Sequence, residues 1–210
     1  MKQMMSLIVS LLLAMSAFAQ TAPEIVSRME QEVTKQKENG MALMMDFKIP
    51  ILGTFTTKAS MLGNKVCIEA LMKEYRVVSW GDGETTWVYD SRKGTVEIKK
   101  GEPVPSSATT GKGKEAEMFT GITDGFDVSI SKETADAWYI LCRKSRTNKE
   151  KDDPKTMDLV VAKKTFYPLS LSAKMAGVTL TMHDVVFGVS EKQVTFDPAD
   201  YPDATIEDKR

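Results

Sequence analysis

The chain changes hydrophobic rhythm once. Over 23–37, Ile25, Met29 and Val33 recur at helical spacing, with Glu24, Arg28, Glu30, Gln31, Glu32 and Lys35 on the other positions. That period predicts an amphipathic helix, ended by Asn39-Gly40. From residue 41 the period drops to two. Met41, Leu43, Met45, Phe47 and Ile49 fall at alternate positions, the signature of a strand with one buried face, and Pro50 closes it.

Strand-like runs then follow over 55–61, 65–72, 75–80, 85–89 and 95–99, with Gly63-Asn64 and Gly81-Asp82-Gly83 among the turns between them. The second half repeats the style over 126–130, 137–143, 157–163, 167–175, 178–186 and 193–196. Links this short fit antiparallel hairpins. So many strands in succession predict a meandering sheet that curls or closes into a barrel.

Two stretches interrupt the meander. Residues 102–125 begin with Pro103 and Pro105, continue through a Ser/Thr/Gly/Lys-rich run and end in a short helical pattern with Met118, Phe119 and Ile122. A loop of this length in a compact domain is either a functional lid or a disordered segment, and a lid is the reading adopted. Residues 143–155 mix Arg143, Lys144, Arg146, Lys149, Lys151 and Lys155 with Glu150, Asp152 and Asp153, which reads as a solvated hairpin loop in preference to a binding patch.

The N-terminus changes the picture of where this sheet works. Lys2 precedes an apolar run from 4 to 18 that stops at Ala17-Phe18-Ala19. The run is short of the roughly 20 residues a membrane-spanning helix needs, and its small-x-small ending is what signal peptidase accepts. Residues 1–19 are therefore expected to be a cleaved signal peptide, in preference to a retained anchor, with 20–210 as one exported domain. No cysteine adjoins the cleavage point to carry acyl chains. Removing Lys2 from the 28 basic residues and setting the remainder against 29 acidic ones leaves a net charge of about −2, without the basic excess of a nucleic-acid binder. Cys67 and Cys142 are open to two readings, a disulfide permitted by an oxidising compartment or two small buried hydrophobes.

Candidate chemistry is sparse. The single histidine, His183, shares strand parity with Thr179 and Thr181, opposite Leu180 and Met182, which points to an exposed or rim position. No HExxH, GxSxG, P-loop or dinucleotide motif is present. Asp82-Gly83 and Asp124-Gly125 lack the alternating oxygen ligands of a calcium loop and are explained as turns, so neither metal nor cofactor is expected. Ten methionines follow the leader, at 29, 41, 44, 45, 61, 72, 118, 157, 175 and 182. Methionine fills ordinary cores, but it also lines surfaces that adapt to varied apolar ligands. A curved sheet, a helix and a covering segment together favour a cavity.

In this order of features the chain resembles the outer-membrane lipoprotein carrier family, the LolA-like proteins. The resemblance rests on the leader followed directly by an amphipathic helix and on Val78-Ser79-Trp80-Gly81-Asp82-Gly83-Glu84-Thr85-Thr86-Trp87-Val88-Tyr89-Asp90, similar to the family's DGxxxWxYD hairpin. A strand with Val96 follows, and Val194-Thr195-Phe196-Asp197-Pro198 through Asp208-Lys209-Arg210 resembles the family's final strand and charged tail. It implies a mainly β fold with helices (α+β), a curved antiparallel sheet forming an unclosed barrel with an N-terminal helix and a helical lid over an apolar cavity. It also implies a soluble, monomeric periplasmic carrier without catalysis. Such a carrier shelters lipoprotein acyl chains or other lipid cargo, which it takes from an inner-membrane release complex to an outer-membrane acceptor. One departure stands out. Well-studied carriers latch the lid with an early-strand arginine, and the corresponding run Met61-Leu62-Gly63-Asn64-Lys65-Val66 has none, Lys65 lacking the planar fork.

Strand parity and lid membership select Met41, Leu43, Met45, Phe47, Ile68, Trp87, Tyr89, Met118, Phe119 and Met175 as cavity residues. The alternatives from other classes are an envelope hydrolase using carboxylates such as Glu69 and Asp127, and an accessory envelope protein whose interior is filled by its own side chains. Exported protein is expected to begin at Gln20; an intact mass that retains residues 1–19 refutes the leader.

Overall fold

The structure, a computed structural model, describes residues 20–72, 74–101 and 119–210. The expected leader, Met118 and residues 102–118 of the expected lid lie outside the described residues. Helix α1 (Ala22–Lys35) starts at a reciprocal cap. The Thr21 hydroxyl accepts from the Glu24 N–H, and the Glu24 carboxylate accepts from the Thr21 N–H at 2.8 Å. Its buried stripe is Ala22, Ile25, Val26, Met29 and Val33, the face the sequence spacing marks. A tight 3-10 turn, Lys37–Asn39, leads to Gly40 at φ 69°. A Cβ on Gly40 would lie 2.5 Å from the Met61 carbonyl oxygen, so the chain can swing from helix into sheet only with glycine there.

The strands are β1 (Met41–Ile49), β2 (Gly53–Leu62), β3 (Lys65–Leu71), β4 (Arg76–Gly81), β5 (Thr85–Asp90), β6 (Thr95–Lys100), β7 (Phe126–Glu133), β8 (Ala137–Lys144), β9 (Thr156–Ala162), β10 (Pro168–Met175), β11 (Val178–Phe187) and β12 (Thr205–Asp208). Short helices α2 (Ile122–Gly125) and α3 (Glu191–Val194) and a 3-10 turn, Pro198–Asp200, complete the described elements. All the strands form a single sheet in the order β12-β6-β5-β4-β3-β2-β1-β11-β10-β9-β8-β7. Two hairpin meanders, β1 to β6 and β7 to β11, are therefore joined where β1 pairs antiparallel with β11. The sheet does not close, since β7 and β12 are its free edges. At the junction the register slips between Ala42 and Met44, and Asp184 takes φ 52°, a bulge that sharpens the local bend.

The sheet curls around α1. Met41, Leu43 and Met45 of β1, Ala59 and Met61 of β2, Ile140 and Cys142 of β8, Leu159 and Val161 of β9 and Leu171 of β10 share a single buried cluster with the helix stripe. Strands from both meanders can reach one helix only if the sheet wraps it.

The apolar side of the sheet changes from one face to the other across its width. On β1 to β3 the large apolar residues other than Met44 and Leu62 point toward α1, whereas on β4 to β6 Val78, Trp80, Trp87, Tyr89, Val96 and Ile98 point away from it, as the register Cys67–Trp80–Trp87–Ile98 requires. The C-terminal segment covers this second apolar face. Phe196 lies 5.3 Å from Trp80 and 6.1 Å from Trp87, and Tyr201 lies 4.6 Å from Tyr89, between ring centroids.

One expectation is corrected, and the choice left open for the cysteines is decided. Residues 193–196 do not form the last strand: Ser190 and Gln193 close a capping box, so 191–194 turn helically, bury Val194 and deliver Phe196 onto Trp80. The last strand is β12, and it runs parallel to β6 because the chain first crosses the outer face from β11. The cysteines are unpaired. Cys67 lies on the outer face of β3 and Cys142 is buried on the helix side of β8, with burial pushing each thiol up to about 11.

Met29 is fully buried between helix and sheet. Truncation by Met29→Ala is expected to cost about 2–5 kcal/mol in denaturant unfolding; a change under ~1 kcal/mol refutes α1 as the centre of the core.

Candidate functional site

The apolar interior opens at the C-terminal end of α1. There a cavity of about 230 Å³ lies between the helix end, the start of β1 and the ends of β2 and β11. Its walls are Val33, Met41, Met61, Leu62 and Phe187, with Thr34, Gln36, Lys37 and Thr120 among the polar lining. The volume is below the roughly 300 Å³ at which pockets for drug-sized ligands begin. It has room for the end of one extended apolar chain, and for more only if α1 were lifted from the sheet.

Six of the residues chosen by strand parity, with Phe119 of the expected lid, lie in or against the helix-side core, and Met41 alone of them reaches the cavity. Met41 lines the cavity; Leu43 and Met45 are buried beneath α1; Phe119 is fully buried in the same cluster; Phe47, Ile68 and Met175 are half-buried against it. Met118 lies outside the described residues. Trp87 and Tyr89 are on the opposite face, under Phe196 and Tyr201. Their placement with the cavity set is corrected by the change of apolar face across β4 and β5. Cavity residues that the strand pattern did not single out are Val33, Met61, Leu62 and Phe187. Val33 is legible in the helix stripe, but the others stand at strand ends, where parity does not say what lies beyond.

The described end of the expected lid is tied to α1 by a contact that no motif announces. The Glu30 carboxylate accepts a hydrogen bond from the backbone N–H of Ile122 at 2.9 Å, at the start of α2. Burial pushes the Glu30 carboxyl above the usual carboxylate range and nearby Asp124 adds to the rise, while the Ile122 N–H opposes it. Lys65, the nearest counterpart of the family's latch arginine, points to the outer face and pairs with Glu191 at 2.6 Å.

A second depression, about 180 Å³, lies on the outer face between the sheet and the C-terminal segment. It is charged, with Lys58, Glu69, Arg76 and Asp200 on its walls, and Arg76 pairs with Glu69. Glu69 and Asp127 do not converge: β2, β1, β11, β10, β9 and β8 separate their strands. His183 sits on the outer face between two carboxylates, 3.2 Å from Asp46 and 3.1 Å from Asp184. Among the described residues no group of three or more acidic, histidine or cysteine side chains could hold a metal ion, and no helix is long and apolar enough to cross a membrane.

No family model and no curated protein matches the sequence. Among solved structures, the Mycobacterium tuberculosis lipoprotein LppX is 10% identical, with 80% of this chain and 97% of that chain covered and a TM-score of 0.50. An uncharacterized conserved protein from Thermus thermophilus is 14% identical over 87% of this chain and 98% of its own, at a TM-score of 0.48. A LolA superfamily protein from Nitrosomonas europaea is 12% identical over 85% and 99%, at 0.34. At 10% identity the likeness to LppX is one of fold alone. The chain has the unclosed sheet with few helices that the sequence resemblance implied.

A carboxyl raised in the folded state contributes most to stability below its unfolded pKa, and that contribution is lost as pH rises through the folded value. Relative to Glu30→Gln, the native chain is therefore expected to lose stability in urea unfolding between about pH 4 and pH 7. Glu30→Ala leaves the Ile122 N–H without its acceptor and is expected to cost about 1 kcal/mol at either pH. Parallel pH profiles for native and Glu30→Gln chains refute the raised carboxyl.

Proposed function

We propose that this chain is a periplasmic, non-enzymatic carrier that binds the acyl chains of lipoproteins or other apolar cargo and passes them toward the outer membrane. The observation that carries this reading is the apolar cavity at the end of α1, continuous with a methionine-rich interior in an unclosed sheet. Methionine is suited to such a wall because its unbranched thioether repacks around guests of different shape. Met41 stands at the cavity wall, with Leu43, Met45, Phe47, Ile68, Phe119 and Met175 behind it along the helix side of the sheet. A longer guest enters by displacing α1 from these residues. Trp87 and Tyr89 have no part in this; they anchor the C-terminal cover.

In this reading residues 1–19 are removed after Ala19, and 20–210 act as a monomeric domain. An inner-membrane release complex supplies the cargo and an outer-membrane acceptor receives it. The likeness to LppX and to the LolA-like fold supports the architecture of a binding protein, and the charge balance argues against a nucleic-acid partner.

Titration with a fluorescent fatty acid tests the site. Saturable binding, displaced by unlabelled lipid, is expected. Leu62→Trp and Val33→Phe, which fill the cavity, are expected to weaken it roughly tenfold or more while the thermal midpoint shows the fold retained. Absence of saturable uptake, or equal affinity in whichever variant stays folded, overturns the reading.

A further inference from the structure

The hairpin joining β1 to β2 turns through Pro50, Ile51 and Leu52. Ile51 is 105% exposed and Leu52 68%, the two most exposed large apolar side chains among the described residues. Ile51 also takes φ 72°, in the left-handed region. That conformation suits glycine or asparagine and is an outlier for a β-branched side chain. The tip thus carries backbone strain and exposes apolar surface at one residue, and neither feature serves the packing of the fold.

Behind the tip the register brings lysines together. Lys48 of β1 stands opposite Thr179 of β11, and Thr179 stands opposite Lys174 of β10, so both lysines flank one threonine on the same face. Both are exposed, and neither forms an ion pair among the described residues. Lys48 lies three residues behind Ile51, roughly 10 Å along an extended strand. The loop between β8 and β9 opens at this same end of the sheet, with Arg146, Lys149, Lys151 and Lys155 set against Glu150, Asp152 and Asp153.

We propose that this hairpin tip is a membrane-contact wedge: Ile51 and Leu52 enter the boundary between headgroups and acyl chains of a bilayer, while Lys48 and Lys174 meet the phosphates of anionic lipids. The spacing fits, because apolar groups of surface-bound segments sit about 5–10 Å into that boundary and basic side chains near an anionic surface add to the attraction. A narrow convex tip with two apolar side chains fits a fluid bilayer better than a protein. A stable protein interface buries about 800 Å² on each side, and this end of the hairpin offers no such face.

The test is co-sedimentation of the processed protein, its N-terminus checked by mass, with vesicles of mixed phosphatidylethanolamine and phosphatidylglycerol and with vesicles of phosphatidylcholine alone. Binding to the anionic vesicles is expected, weakened roughly tenfold or more by Ile51→Asp with Leu52→Asp and made salt-insensitive by Lys48→Gln with Lys174→Gln. In a second variant, Leu52→Trp, the added fluorescence is expected to be quenched by brominated lipid. No binding to anionic vesicles, tip variants that bind like the native chain, or a tip-dependent dimer in sedimentation overturns the proposal. The tip and the cavity lie at opposite ends of β1, so the Asp variants are expected to keep fatty-acid uptake. Loss of uptake with vesicle binding intact counts against the carrier reading alone.

Discussion

Burial of the apolar stripe of α1 inside a curled sheet is the constraint on which the rest of the structure depends. An unclosed sheet has one concave face that no second sheet covers, and a helix with Ile25, Val26, Met29 and Val33 on one side supplies the missing layer. The hairpin meanders are each local, but their junction at β1 and β11 is not. It holds because Met45 and Met182, opposite one another in register, both bury against the same helix-centred cluster. The cavity at the helix end exists because the stripe runs out at Val33 while the sheet continues past it.

The same need for cover explains the second apolar face. Strands β4 to β6 lie too far around the sheet to reach α1, and their aromatic and branched residues turn the other way. The C-terminal segment then does for this region what α1 does for the first, with Phe196 and Tyr201 as its anchors. That demand explains why the chain crosses the outer face before β12 pairs parallel with β6. Polar residues fill the helix-side positions of β6. Glu97 pairs there with Lys99 and Lys209, which hold its carboxyl down at about 2.

The functional reading follows from where filling stops. Most of the interior is occupied by the protein's own helix, so the site is a modest opening at one end with a repackable methionine wall. Glu30 links α1 to Ile122, so the helix that would have to move for a longer guest is also the one that holds the start of α2. At the far end of β1 the exposed tip is strained and apolar, and it is independent of the cavity.

What the sequence determined by itself was the local grammar: a helix over 23–37, observed at 22–35, the alternating strands from β1 to β11, and the helix-side residues of β1, because periods of 3.6 and 2 are written in consecutive residues. It also carried the resemblance through Trp87-Val88-Tyr89-Asp90 and its turn. Only the tertiary structure decided which face each strand turned toward the helix. Parity separates Trp87 from Val88 but does not say which side is inside, and the answer depended on Phe196 and Tyr201, more than a hundred residues away. The same holds for 193–196, where a run that alternates like a strand instead begins inside the helical turn 191–194 and delivers Phe196 onto Trp80. The Glu30 contact and the cavity walls at Met61, Leu62 and Phe187 were likewise set by non-local packing, which leaves no periodic trace along the chain.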